Sequence, residues 1–143
     1  MATPVSQEDW LRYRALLPQK HDLCQIPLPT TLPYQGTLRG SVNYIPPESL
    51  LRGLREWLEN RGERSVCYFL TEYVREEEGL FEVEVSELTE RTLANLNANF
   101  ENVITAKDFS WALFIDHEGG LHVAGPAELF SRLQALLENT TRK

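Results

Sequence analysis

The chain has 143 residues, 42% of them hydrophobic, with 14 lysines and arginines against 21 acids and a net charge of −7. That is the size of a single domain with enough apolar material for a real core, which argues against a disordered chain, and no run of 18 apolar residues offers a transmembrane helix. The acidic excess also disfavours direct nucleic-acid or anionic-membrane binding, because phosphate recognition needs a concentrated basic face.

The N-terminal stretch "MATPVSQEDW" lacks a basic region followed by an apolar one, so no secretory leader is expected and the chain reads as cytoplasmic. Ser6 can cap a helix that carries Trp10, Tyr13, Leu16 and Leu17 at helical spacing and stops at Pro18. Residues 19–46 read as an extended segment punctuated by Pro27, Pro29 and Pro33, with a weak strand in "TLRGSVNYI". Pro46 and Pro47 open a second helix with the stripe Leu50, Leu51, Leu54, Trp57 and Leu58, closed by Gly62. Arg52–Glu56 and Arg55–Glu59 stand at i,i+4 spacing along it.

"SVCYFLTEYV" is dense in β-formers; "REEEG" turns it and "LFEVEVS" returns, with Phe81, Val83 and Val85 alternating against Glu82 and Glu84. "SELTERTLANL" predicts a short helix using Leu88, Thr92, Leu93 and Leu96, and "NVITA" another strand. "SWALFID" and "LHVAG" form a second hairpin. Pro126 opens a last helix, with Leu129, Phe130, Leu133, Leu136 and Leu137 toward the sheet and residues 138–143 as a frayed tail. The pattern predicts one α+β domain over residues 1–143. Its antiparallel sheet has four to five strands built from two hairpins, packed by three main helices largely on one face.

The negative charge is concentrated. Residues 72–90 hold eight glutamates against Arg75 alone, while elsewhere thirteen acids balance thirteen bases. The natural complement of such a segment is a basic protein surface, with Glu72, Glu76, Glu77, Glu78, Glu82 and Glu84 attracting it and Tyr73 as the desolvated anchor. The bland alternative is a solvated hairpin kept soluble by its charge.

"DHEGGLH" places two of the three histidines beside two carboxylates. A two-residue Gly119-Gly120 turn would pair His117 with His122. A three-residue loop would pair Asp116 with His122 and gather Leu113, Ile115, Leu121 and Val123 on one face, and is preferred on that ground. Adjacent strand residues point to opposite faces, so no metal site is expected here, and no cofactor. Asp116 and His122, with His21 and Cys24 of "HDLC", are the candidates for an alternative small-molecule or enzymatic pocket between sheet and helices. Cys24 and Cys67 read as buried thiols. A self-associating structural protein is the third class of function considered.

The stretch "DFSWALFIDHEGGLHVAG", set in a small acidic α+β chain, resembles small uncharacterised bacterial proteins, some of them similar to immunity proteins that bind and neutralise toxins. The resemblance covers roughly the last third of the chain. It implies a non-enzymatic toxin-binding role and transfers no site residue.

Overall fold

The computed structural model describes residues 3–4, 8, 32–39, 46–70, 80–96, 102–116 and 120–141. Seven strands make one sheet: β1 (Thr3–Pro4), β2 (Tyr34–Arg39), β3 (Ser65–Leu70), β4 (Leu80–Glu84), β5 (Asn102–Ala106), β6 (Ala112–Ile115) and β7 (Gly120–Ala124). Their order is β1-β4-β3-β5-β6-β7-β2, and every neighbouring pair is antiparallel. Three helices have both ends among the described residues: α1 (Glu48–Asn60), α2 (Glu90–Asn95) and α3 (Ala127–Thr141). The α+β class and the antiparallel sheet match expectation, but the strand count exceeds the expected four to five. The added strands are the two-residue β1 on β4 and the edge strand β2 on β7, which overlaps the weak strand expected in "TLRGSVNYI" at residues 37–39 but starts at Tyr34. Long-range pairing of this kind leaves no local periodicity to read.

Of the helix predicted from Ser6, Glu8 is described and is helical and exposed; the rest lies outside the described residues. α1 forms where Pro47 starts it, and Leu50, Leu51, Leu54, Trp57 and Leu58 are all buried. Gly62 ends it at φ 77°; its N–H reaches the Glu59 carbonyl at 3.0 Å and the Glu63 N–H reaches that of Leu58 at 3.0 Å. This is a Schellman closure, which a residue with Cβ enters only at a cost. The expected i,i+4 pairs do not form. Arg55 binds Glu48 at 2.9 Å and the Leu88 carbonyl at 2.6 Å, and Glu56 meets Arg132 at 3.4 Å. Glu48 at the start of the same helix, the Leu88 carbonyl and Arg132 of α3 take the place of the weak i,i+4 partners.

Register sorts the sheet into two faces. Val66, Tyr68, Val83, Ile104, Ala106, Leu113, Ile115, Leu121, Val123 and Leu38 share one core cluster with side chains of α1, α2 and α3. Leu129, Leu133 and Leu137 come from α3, with Phe130 and Leu136 at its margin. α3 continues through Thr141, into the stretch expected as a tail. α1 and α3 meet where Gly53 faces Leu136, a contact that leaves no room for a Cβ. The other face is not uniformly wet: Cys67, Val103, Thr105, Ala112, Phe114 and Ala124 are buried there too. On its β4 side Glu82 is half-buried and Glu84 exposed.

Two turns set the edges of that sheet. Phe109 takes φ 57° between β5 and β6 with its ring buried, so apolar burial holds a backbone position that normally selects glycine. Gly125 takes φ 123° after β7, and a Cβ there would lie 2.9 Å from the Trp111 Cα and 3.0 Å from the Ser110 carbonyl. No helix of the described residues is long and apolar enough to cross a membrane.

Candidate functional site

The β3–β4 pairing sets Ser65 opposite Glu84 and Cys67 opposite Glu82, so both glutamates leave the sheet on its second face. The chain leaving the α1 cap lies beside them. Together Glu59, Glu63, Arg64, Ser65, Glu82, Glu84, Val85 and Ser86 line an open cleft of about 430 Å³. Four of the eight lining residues are glutamates and one is an arginine.

These carboxylates are not equivalent. Glu82 Oε1 accepts from Ser65 Oγ at 2.8 Å and pairs with Lys107 Nζ at 2.7 Å. The Lys107 ammonium, helped by the Ser65 hydroxyl, holds the Glu82 carboxyl below the usual carboxylate range. Glu63 is likewise committed: Oε1 accepts from the Trp111 indole at 3.1 Å and Oε2 from Arg61 Nε at 3.1 Å. Arg61 also stacks over Trp57, 4.5 Å from its ring centroid, and reaches Glu128 at 3.3 Å. Glu59 and Glu84 make no ion pair among the described residues, and both are exposed. The cleft therefore offers two unneutralised carboxylates against Arg64 on a floor anchored to the core through Trp111.

Of the expected acidic surface, Glu82 and Glu84 fall in this cleft. Glu72, Tyr73, Glu76, Glu77 and Glu78 lie outside the described residues. Glu59 and Glu63 were not singled out in the sequence, Glu59 because its spacing assigned it to Arg55. Only the fold brings the end of α1 against β4.

The second candidate lies across the sheet. The β6–β7 register pairs Phe114 with His122 and Ile115 with Leu121, and the Asp116 N–H donates to the Gly120 carbonyl at 3.0 Å. Neither anticipated register is adopted, since the pairing is shifted by two residues from the preferred one. Such a slip of two conserves the faces, so Leu113, Ile115, Leu121 and Val123 still gather in the core. Asp116 and His122 still meet, diagonally, with Oδ2 and Nε2 2.7 Å apart. Thr37 Oγ1 on β2 stands 2.8 Å from His122 Nδ1, and Phe114 stacks on the imidazole at 5.2 Å. His21 and Cys24 lie outside the described residues, as do His117, Glu118 and Gly119. Gly120 does not take the positive φ expected at one of the loop glycines. Its place is set by Asp116 instead: its N–H binds Asp116 Oδ1 at 2.8 Å, and a Cβ would meet Oδ2 at 2.6 Å, so a side chain there would push the carboxylate aside. Among the described residues, no three His, Cys, Asp or Glu side chains are grouped to hold a metal ion.

The chain has no significant match to protein-family models, curated proteins or solved structures. The reading of its function therefore stands on geometry and charge.

Proposed function

We propose that this protein is a cytoplasmic binding module whose cleft beside β4 receives the cationic side chains of a basic protein partner, a non-enzymatic role for that cleft. The observation that carries the reading is the pair of uncommitted carboxylates, Glu59 and Glu84, across an open cleft whose other acids are already neutralised. A lysine or arginine entering there meets charge that no internal partner competes for. The acidic segment 72–90, which includes Glu82 and Glu84, extends the attraction beyond the cleft. Tyr73 is the proposed apolar anchor. Nucleic acid and anionic membrane are not partners in this reading, since both would be repelled by the same field. Its narrower form is an immunity-type role in which the basic partner is a toxin.

A Lys- and Arg-bearing peptide added to the full chain tests it. Trp111, hydrogen-bonded to Glu63 on the cleft wall, supplies a fluorescence signal. The association rate should fall steeply with added salt, because exposed charges are screened beyond about 8–10 Å at physiological ionic strength. Binding that is indifferent to salt contradicts the reading.

A further inference from the structure

Thr37 takes no part in the acidic cleft, yet it heads a chain of three polar side chains on the second face of the sheet. The β2–β7 register sets it directly opposite His122, its hydroxyl 2.8 Å from Nδ1. On the far side of the ring, Nε2 lies 2.7 Å from Asp116 Oδ2, and the Gly120 N–H holds the other carboxylate oxygen at 2.8 Å. A carboxylate accepts, so Nε2 carries the hydrogen, and in the neutral imidazole Nδ1 then turns its lone pair to the Thr37 hydroxyl. Phe114, stacked at 5.2 Å and 23°, fixes the imidazole plane. The order is hydroxyl, base, orienting carboxylate at hydrogen-bond distances, which is the arrangement that activates an oxygen nucleophile. His122 and Asp116 keep 13% and 20% of their side-chain surface exposed, and Thr37 is half-buried, so the chain of groups is partly exposed rather than sealed in the core.

We propose that Thr37 is a nucleophile for acyl transfer, with His122 as its base and Asp116 as a positioning residue, acting on small uncharged esters. The substrate class follows from the surroundings. An aspartate and an aromatic ring beside the base suit a neutral acyl group and repel an anionic phosphoryl group. The Thr37 oxygen bonds to the acyl carbon as its proton passes to Nδ1. The bond from that carbon to the leaving oxygen breaks, and the alcohol takes the proton from the imidazolium. Water then attacks the acyl-threonine ester and gives a proton to Nδ1. The carboxylic acid leaves, and Thr37 recovers its proton.

The full chain, incubated with p-nitrophenyl acetate, tests this by release of nitrophenolate and by peptide mapping of the acetylated product. The expected result is acetylation at Thr37, lost in Thr37→Val, kept in Thr37→Ser and slowed by about 10²–10⁴-fold in His122→Ala. Asp116→Asn should lower the acetylation rate constant and leave the half-saturating ester concentration unchanged. Thr37→Ser and wild type keep the test valid if Thr37→Val fails to fold. Acetyl groups on lysines alone, or equal labelling of Thr37 in folded His122→Ala, would overturn the proposal and leave the three residues as a structural cross-strand network.

Discussion

The β4 side and the β7–β2 side of the second sheet face use carboxylates in opposite ways. Asp116 spends one oxygen on His122 and the other on the Gly120 N–H, so its charge is absorbed locally. Glu84 stands exposed on β4 with no ion pair among the described residues, and its charge is projected into solvent. Glu82 is intermediate, next to Glu84 on the same face but neutralised by Lys107. The density of acids in a sequence is therefore not the charge that a surface offers. What counts is which acids the fold leaves without a partner, since a paired charge at a surface adds little and a lone one still steers.

That contrast can be broken at its support first. Trp111 is fully buried, meets Trp57 edge-on at 5.9 Å and binds Glu63, so it ties the cleft wall to the core. Trp111→Ala should cost about 3–5 kcal/mol in urea denaturation, in line with other large-to-small aromatic changes. A loss below about 1 kcal/mol would mean that this wall does not rest on the core. Next in size is Asp116→Ala, which strips partners from His122 and from the Gly120 N–H. About 1–3 kcal/mol should be lost, the cost of partly buried groups left unsatisfied. A smaller loss would place Asp116 in the same solvated class as Glu84.

Lys107→Ala probes the intermediate case. With Glu82 about a third exposed, the expected loss is only about 0.2–1 kcal/mol at neutral pH. Because the Glu82 carboxyl is held below its ordinary value of 4.5, its contribution is present above that value and fades as the pH falls through the folded-state value. Wild type and Lys107→Ala should therefore converge in acid. A difference that persists at low pH would assign it to packing of the lysine stem instead. The smallest effect is expected for Glu84→Gln, within about 0.5 kcal/mol by thermal or chemical denaturation.

How much of this was legible varies by residue. The stripe from Leu50 to Leu58 and the stripe of α3 were readable because helical periodicity and burial agree there. The parity of the β6–β7 hairpin was readable from its apolar pattern, which is why Asp116 and His122 meet although the pairing is shifted by two residues from the expected one. Thr37 was not readable as their neighbour, because it joins them from a strand 85 residues away and its own segment has no strong periodicity. Lys107 was equally hidden. It follows β5 in the chain and reaches Glu82 on the far side of β3, and nothing local announces that pairing.

The central claim is that uncommitted acids, not total charge, make the binding surface, and a charge-matched comparison tests it most directly. Glu59→Gln with Glu84→Gln removes two charges inside the cleft, while Glu56→Gln with Glu90→Gln removes the same number from residues that do not line it. Isothermal titration of the Lys- and Arg-bearing peptide against both double variants and wild type reads the difference. The account predicts a loss of affinity of about tenfold or more, some 1.4 kcal/mol, for the cleft variant and little change for its charge-matched counterpart. Equal losses in the two variants would contradict it.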